Sequence, residues 1–332
     1  MNPSDWPWRD ATPLRFDRFM ELALHDPERG YYARRIRGVG RGGDFTTTPM
    51  LTPALGKAVS SWSKGALKGS GCRDLIELGP GEGVLAEAVM KTFPWWKKPR
   101  LHLVERSVPL REKQAARLGK RVIWHDTIES ALDACGGKAC IYSNEFADAF
   151  PVRRFRRDTD GWSELFLTPQ ESWQPCESLP ESTVFTLTFS PGQIVEVAES
   201  YHDWLRGWLP HWKAGRMLTI DYGALVEPLY HRRPRGTVRA YLLQQRLEGP
   251  AIYENPGRQD LTTDVNFTDL QAWSSPQAET VKLTTQREFL LPHANPADPA
   301  DAHAVDADGA GGSFLVLEQR AKPVNEPAPR AS

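Results

Sequence analysis

Short apolar runs alternate with helical patterns along the middle of the chain, and this alternation predicts a parallel β-sheet covered by helices. The runs at 74–78, 101–104, 121–124 and 216–220 are each four or five residues long and rich in Val, Ile or Leu. Four such strand-and-helix units fit between residues 73 and 150. The expected fold class is therefore α/β.

Three alternating glycines follow the first of these strands: Gly79, Gly81 and Gly83. Glycines between a strand and a helix let a ligand approach the backbone and the free N–H groups of the helix start. The fingerprint of dinucleotide sites has two residues between its last two glycines, whereas only Glu82 stands there in this chain. Glu82 would repel a pyrophosphate. Glu77 before the turn suits a ligand with an ammonium group, such as S-adenosylmethionine (SAM).

Acidic residues end two further strands. Glu105 comes roughly 20 residues after the glycines, where a carboxylate accepts hydrogen bonds from the ribose hydroxyls of SAM or of NAD alike. Asp126 follows the next strand and is expected beside the adenine amino group, or alternatively as the cap of a helix that begins near Thr127. Because the carboxyl ends of parallel strands meet at one edge, these acids predict a ligand site there.

The remaining segments predict additions to the sheet. Residues 1–70 read as a helical extension, and residues 71–322 as the catalytic domain. Alternating patterns around the Asp160-Gly161 turn predict a β-rich insertion at about 151–200, and the run at 314–318 predicts a late antiparallel strand. Residues 292–312 are expected to form a flexible loop and residues 323–332 a disordered tail. Trp204, Trp208 and Trp212 recur every fourth residue, which favours a buried helical face or a groove for a substrate peptide.

Composition narrows the class of partner. Lys and Arg total 41 against 42 Asp and Glu, so the net charge of −1 predicts no nucleic-acid partner. No stretch is apolar and long enough to predict a membrane span, and the first residues carry no recognisable targeting signal, so the cytoplasm is the expected location. The four cysteines lack CxxC spacing, which predicts free thiols and no metal.

Four acidic motifs carry a resemblance to a known family. They are GDFTT at 43–47, SNEFADAFP at 143–151, DYG at 221–223 and PGRQDLTTDVNF at 256–267. With the glycine turn and Glu105, this set resembles, in the same order, the MidA family of class I SAM-dependent methyltransferases. The resemblance implies a Rossmann-like methyltransferase sheet with SAM as cofactor. Mitochondrial members of that family are respiratory complex I assembly factors and protein arginine methyltransferases acting on a complex I subunit, so a protein substrate is implied.

The resemblance also implies roles for single residues. Glu77, Gly79, Gly81, Gly83 and Glu105 fall on the cofactor site. Matches to the other motifs place Asp44 and Phe45 over the cofactor, Asn144, Glu145 and Asp148 towards cofactor or substrate, and Asp221 with Tyr222 at the end of the fifth strand. Two positions depart from the family pattern: Gln244 stands where a His is frequent, and Ala147 replaces an aromatic residue.

A physical hypothesis for catalysis rests on Glu145 and Asp148. Carboxylates on the far nitrogens of a guanidinium would localise its charge, and such pairing is geometrically strict. Both would face the acceptor if their segment forms a helical turn; alternatively Asp148 braces the loop and only Asn144 or Glu145 meets substrate. The residues alone leave two other functions as alternatives: an NAD-dependent oxidoreductase and an assembly chaperone. The sequence predicts no oligomeric state.

Overall fold

The computed structural model describes residues 13–34, 52–119, 122–168, 170–243 and 245–323. The strands in chain order are β1 (Leu14–Arg15), β2 (Asp74–Leu78), β3 (Arg100–Val104), β4 (Val122–His125), β5 (Cys140–Asn144), β6 (Arg153–Arg157), β7 (Trp162–Leu167), β8 (Glu171–Pro175), β9 (Ile194–Val197), β10 (Arg216–Ala224), β11 (Arg239–Leu242), β12 (Gln245–Leu247), β13 (Asp260–Thr262), β14 (Val265–Asn266), β15 (Ala278–Thr285) and β16 (Phe314–Ala321).

Helices connect most of these strands. They are α1 (Phe16–His25), α2 (Tyr31–Arg34), α3 (Pro53–Ser70), α4 (Val84–Lys91), α5 (Val108–Leu118), α6 (Ile128–Ala134), α7 (Glu199–Trp208), α8 (Val226–Leu229), α9 (Phe267–Ser274), α10 (Gln286–Leu290), α11 (Pro299–Ala304) and α12 (Ala310–Ser313). In the part of the chain that the structure describes, no helix has the length and hydropathy needed to cross a membrane.

The central sheet has the order β15-β16-β10-β5-β2-β3-β4, and β14 also pairs with β10. Strands β10, β5, β2, β3 and β4 are parallel, while β16 runs antiparallel between β10 and β15. The chain first moves outward from β2 to β4 and then returns to β5 on the other side of β2. This reversal opens a crevice between the carboxyl ends of β2 and β5, which is where open α/β sheets bind ligands. The predicted fold class is confirmed.

The inserted strands form a second sheet of order β1-β7-β6-β9, with β8 also paired to β7. The predicted antiparallel insertion is therefore present, but the N-terminal extension is more than helical. Leu14 of β1 pairs with Leu167 of β7, and the buried face of α1 packs on the same cluster. Strands β12, β11 and β13 form a small third sheet beside this cluster.

Two local predictions differ from the structure. The helix predicted to carry Trp204, Trp208 and Trp212 ends at Trp208, and a 3-10 turn that contains Pro210 follows at Leu209–His211; Trp212 lies beyond it but is still buried with Trp208. The predicted loop at 292–312 contains the short helices α11 and α12. The Asp298 side chain caps α11 by accepting a hydrogen bond from the Ala300 N–H. An Asp before a helix is a start signal, but the alanine-rich composition of this segment obscured it. Apart from Pro323, the predicted disordered tail lies outside the described residues, and the domain boundaries stay predictions.

Packing around Trp208 gives a test of the core. The Trp208 ring is fully buried, with the Trp204 and Trp212 rings 5.3 and 6.4 Å away. We expect Trp208→Ala to lower the free energy of unfolding by about 3–5 kcal/mol, through lost burial and the cavity left behind. Chemical denaturation followed by circular dichroism measures this. Trp95→Ala is the matched control, because Trp95 is 80% exposed and its removal should cost less than about 0.5 kcal/mol. Equal losses in both variants would contradict this assignment of the core.

Candidate cofactor and acceptor site

The glycine turn between β2 and α4 has a backbone that favours glycine at three positions. Gly79, Gly81 and Gly83 have φ values of 60°, 52° and 77°. A Cβ atom on Gly79 would lie 2.6 Å from Cδ2 of Phe146, so this position has no room for a side chain. A Cβ atom on Gly81 would meet no described heavy atom within 4 Å. The backbone at Gly81 therefore faces open space that a ligand can enter.

Glu77 lies inside β2, and only 3% of its surface is exposed. The Tyr142 hydroxyl on the neighbouring strand β5 donates a hydrogen bond to its carboxylate at 2.8 Å. Burial raises the pKa of Glu77 to about 8. The carboxyl group is therefore mostly neutral at pH 7, and a cation beside it would favour its charged form.

Glu105 directly follows β3, as the sequence predicted for the ribose acid. Its carboxylate accepts the Ser107 N–H at 2.8 Å, and burial raises its pKa. The amide of Gln114 lies 3.5 Å from Glu105 and donates to the Gly81 carbonyl at 2.7 Å. Gln114 thus connects the acid to the glycine turn. Sequence reasoning missed it, because nothing in the helical pattern of α5 distinguishes a buried glutamine.

Asp126 and Glu82 both lie in ion pairs on the rim of the crevice. The Asp126 carboxylate is 79% exposed and 2.7 Å from the Arg111 guanidinium. Thr127, not Asp126, caps the next helix, so the capping alternative is wrong and the adenine role stays a prediction. The Lys113 ammonium lies 2.8 Å from Glu82. This pairing weakens the argument that Glu82 alone would exclude a pyrophosphate.

Asn144 is the last residue of β5 and lies beside the crevice. Its Nδ2 donates to Glu145 at 3.0 Å, but its Oδ1 is buried and accepts no hydrogen bond from the described residues. Glu145 has a φ of 52°, a conformation that is strained for a side chain other than glycine and is frequent at functional sites. The Tyr222 hydroxyl donates to Glu145 at 3.3 Å. These contacts hold the half-buried Glu145 carboxylate at the crevice.

Asp148 and Asp221 lie beneath Glu145 and are both buried. The 3-10 turn Ala147–Ala149 contains Asp148, whose carboxylate accepts the Thr262 hydroxyl at 2.6 Å. The Asp221 carboxylate accepts the backbone N–H groups of Phe146 at 3.1 Å and Ala147 at 2.9 Å. Burial raises the pKa of both acids, and the charges of Asp148 and Glu145 raise the pKa of Asp221 further. The predicted helical turn is present, but both side chains mainly brace it.

Two residues that sequence reasoning left without a role lie near Asp148 and Tyr222. Asp260 on β13 accepts the Tyr32 hydroxyl at 3.1 Å; burial, and then the charge of Asp148, raises its pKa to about 7. Arg239 on β11 pairs with Asp264 and lies 5.0 Å from the Tyr222 ring centre. The 256–267 motif contained Asp260, but its contact with Tyr32 spans 228 residues and has no local signal.

A cleft of about 1440 Å³ extends outward from Tyr222 and Arg239. Its walls come from the inserted sheet, the small third sheet and the segment after β10, which contribute Arg154, Arg246 and Arg235 among others. Pockets for small molecules typically measure about 300–1000 Å³. The cleft is therefore large enough for a segment of another protein.

A second polar cluster lies at the opposite end of the sheet. His102 Nε2 is 3.1 Å from the Asp74 carboxylate and 3.6 Å from the Cys135 sulfur, while His102 Nδ1 is 2.9 Å from His125. The side chains of this cluster are therefore hydrogen-bond partners of one another, and the Arg100 guanidinium lies 2.6 Å from the Asp74 carboxylate. We assign no metal to the cluster. The expected absence of a metal stays a prediction.

Comparison with known proteins identifies the family. Residues 57–285 match the family described as "Putative S-adenosyl-L-methionine-dependent methyltransferase". The chain belongs to this family. The match covers most of the central sheet and both sides of the crevice. The predicted methyltransferase function and SAM cofactor are confirmed, and the NAD-dependent oxidoreductase and the chaperone are not supported.

Individual relatives agree with the family. One similar protein is named "Protein arginine methyltransferase NDUFAF7, mitochondrial" and comes from Danio rerio; it is 27% identical over 84% of this chain and 72% of its own length. The homologue of that protein in Caenorhabditis elegans is 26% identical over 85% of this chain and 73% of its own length. A methyltransferase-like protein of Burkholderia thailandensis, crystallised with S-adenosyl-homocysteine, is 25% identical, with a TM-score of 0.82 over 96% of this chain and 90% of that one. The predicted cytoplasmic location is wrong on this comparison, because the animal relatives are named mitochondrial.

The residues present fit SAM in several respects. Among the described residues, Gly81 has open space beside its backbone and the Asn144 Oδ1 has no hydrogen-bond partner; these groups and the carboxylates of Glu77 and Glu105 lie at or near the carboxyl ends of β2, β3 and β5. Asp44 and Phe45, which the resemblance places over the cofactor, lie outside the described residues, and so does Gln244.

The contact between Gly79 and Phe146 predicts an effect on SAM affinity. In Gly79→Ala, the added methyl group would displace the Phe146 ring and strain a turn with φ of 60°. We expect SAM affinity, measured by calorimetry, to fall at least about tenfold, the equivalent of 1.4 kcal/mol. Gly119→Ala is the control, since Gly119 has a similar φ of 68° but open space and lies after α5. Unchanged affinity in Gly79→Ala would show that the turn does not hold the ligand.

Proposed function

We propose that this SAM-dependent methyltransferase transfers the methyl group to an arginine guanidinium of a protein substrate. The relatives in Danio rerio and Caenorhabditis elegans are named protein arginine methyltransferases, which supports the proposal. The family resemblance makes a respiratory complex I subunit the first candidate substrate. The size of the cleft beside Tyr222 also favours a protein over a small acceptor.

The excess of buried carboxylates is the observation that carries the proposal. Burial raises the pKa of Asp221 and Asp260, and repulsion from the charge of Asp148 raises the pKa of both further, as does the charge of Glu145 for Asp221. Arg239 is the nearby buried cation, but it already pairs with Asp264. A cationic acceptor would relieve this repulsion, whereas an anionic one would increase it. A guanidinium fits both the charge and the planar geometry of carboxylate pairs.

Glu145 is the carboxylate that we place against the acceptor. It is half-buried at the crevice, while Asp148 and Asp221 are enclosed behind it. Its two oxygens accept hydrogen bonds from Asn144 and Tyr222, which fix its direction. In this position Glu145 localises the guanidinium charge and can accept the released proton. Asp148 and Asp221 position Glu145 through the turn that they brace.

The cofactor side follows from the same crevice. We place the Glu77 carboxylate near the ammonium group, Glu105 on the ribose hydroxyls and the Asn144 oxygen on a hydrogen-bond donor of the cofactor. Asp126 remains the candidate for the adenine amino group. Bound SAM supplies a methyl carbon already activated by its sulfonium, so the protein contributes alignment and exclusion of water.

Replacement of the acidic residues tests the acceptor site. We expect Glu145→Gln to lower the rate of methyl transfer by about 100-fold or more while SAM affinity changes little. Asp148→Asn should lower the rate less, because Asp148 acts through the turn. Radiolabelled methyl transfer to lysate proteins, with mass mapping of the modified residue, measures the rate and the acceptor. Asp203→Asn, with a 67% exposed side chain, is the control. Full activity in Glu145→Gln, or label on residues other than arginine, would contradict the proposal.

The raised pKa of Glu77 predicts a pH dependence of SAM binding. With a pKa of about 8, the carboxyl must lose its proton to pair with an ammonium group. The ratio of wild-type to Glu77→Gln affinity should therefore rise with pH, by up to about tenfold per pH unit below pH 8. The variant corrects for titration of the ligand's own amino group, since both proteins experience it. A ratio that does not change with pH would remove Glu77 from the site.

The same shift gives a check of folding. The pKa of Glu77 is raised in the folded chain above its ordinary value of 4.5, so the folded state holds the proton more tightly. The resulting stabilisation is complete below pH 4.5 and is lost as pH rises through about 8. Glu77→Gln lacks this loss, and its melting temperature should rise relative to wild type over that range. Loss of SAM binding without unfolding then reports on the site alone.

A further inference from the structure

Two adjacent tryptophans lie almost fully in solvent at the amino-terminal edge of the central sheet. Trp95 is 80% exposed and Trp96 is 65% exposed. They form the 3-10 turn Trp95–Lys97 in the loop before β3, and their ring centres are 5.7 Å apart, edge to face. A pair of large exposed aromatics is rare on a protein that acts alone and typically marks an interaction surface. The catalytic crevice at the other end of the sheet does not use them.

Basic side chains surround the tryptophans. Lys97 and Lys98 follow directly, and both are exposed. The neighbouring strands begin at the same edge, and the exposed residues Arg73, Lys138 and Lys213 come just before β2, β5 and β10. The Arg73 carbonyl accepts a hydrogen bond from the Arg100 N–H, so the first residues of β2 and β3 are adjacent. Lys138 forms an isolated β-bridge with Ala214, so the first residues of β5 and β10 are adjacent as well.

The charge of this edge differs from that of the whole chain, whose net charge is −1. Two acids at the edge, Asp74 and Glu318, are paired with Arg100 and Arg216. Asp133 and Glu279 are exposed acids near the edge, and the Arg320 guanidinium lies 2.6 Å from Glu279. Five exposed cations of the described part of the chain lie at the same edge: Arg73, Lys97, Lys98, Lys138 and Lys213.

We propose that this edge binds the surface of an anionic membrane. Tryptophan favours the headgroup layer of a bilayer, and lysine and arginine are attracted by the negative potential of anionic lipids. Exposure of 80% means that Trp95 protrudes, which suits a soft layer that the ring can enter better than the flat surface of a folded protein. The bound partner is thus the lipid surface, and attachment is peripheral.

This attachment would orient the enzyme. The parallel strands run from the membrane-facing edge to the edge that carries Gly79 and Asn144. Strand β2 has five residues, so the two edges are about 17 Å apart at about 3.3 Å per residue. The crevice and its cleft would face away from the lipid and stay open to a protein substrate near the membrane.

Vesicle binding by the full chain tests the proposal. We expect the protein to sediment with vesicles of phosphatidylcholine and phosphatidylglycerol in equal parts, and not with phosphatidylcholine alone. Each lysine near an anionic surface contributes about fivefold to the partition coefficient, so Lys97→Gln with Lys98→Gln should lower it about 25-fold. Trp95→Ala with Trp96→Ala should lower it at least about tenfold. Raising the salt concentration should weaken the binding.

Matched variants and a second readout complete the test. Leu243→Ala controls for loss of an exposed apolar residue, since Leu243 is 72% exposed. The pair Lys57→Gln and Lys282→Gln controls for loss of two exposed charges elsewhere. SAM affinity should stay unchanged in all variants, which shows that they fold. The proposal is wrong if the wild type does not bind the anionic vesicles at low salt, as expected if a protein covers the tryptophans. It is also wrong if the tryptophan variant binds as well as wild type.

Discussion

The carboxylate of Asp221 fixes the turn after β5, and both halves of the site depend on this contact. One oxygen accepts backbone N–H groups of Phe146 and Ala147 at 3.1 and 2.9 Å. The turn places the Phe146 ring against Gly79 on the cofactor side. It also starts at Glu145, which has a strained backbone and which we propose to face the acceptor. In that proposal a single buried acid couples the position of the cofactor to that of the acceptor.

The same region concentrates charges that a folded protein normally avoids. Burial raises the pKa of Glu77, Asp148, Asp221 and Asp260, and burial is the leading cause in each case. Enclosed carboxylates of like charge destabilise the folded state, and proteins retain them where the site must receive a cation. SAM carries a sulfonium and an ammonium group, and the proposed arginine acceptor carries a guanidinium. The unfavourable electrostatics of the free protein thus match the charge of the cofactor and of the proposed acceptor.

Local patterns predicted the parts of the site that lie within a few residues of a strand end. The glycine turn, Glu105 and Asn144 stand where a strand stops, and the apolar runs before them located the strands. The residues that sequence reasoning left unassigned are connected over long distances. Tyr32 reaches Asp260 across 228 residues and Thr262 reaches Asp148 across 114, and no local periodicity records such contacts. Gln114 and Arg239 were hidden for a similar reason, since their partners come from other elements.

The pairing of the first strand has a consequence for how the chain folds during synthesis. Leu14 joins Leu167, and the apolar face of α1 also packs against Leu261, far later in the sequence. The ribosome therefore releases α1, with its apolar face exposed, long before the segments that cover this face have been synthesised. Contacts between such distant segments form slowly. The α1 segment would need shielding from aggregation until the inserted sheet and Leu261 have emerged.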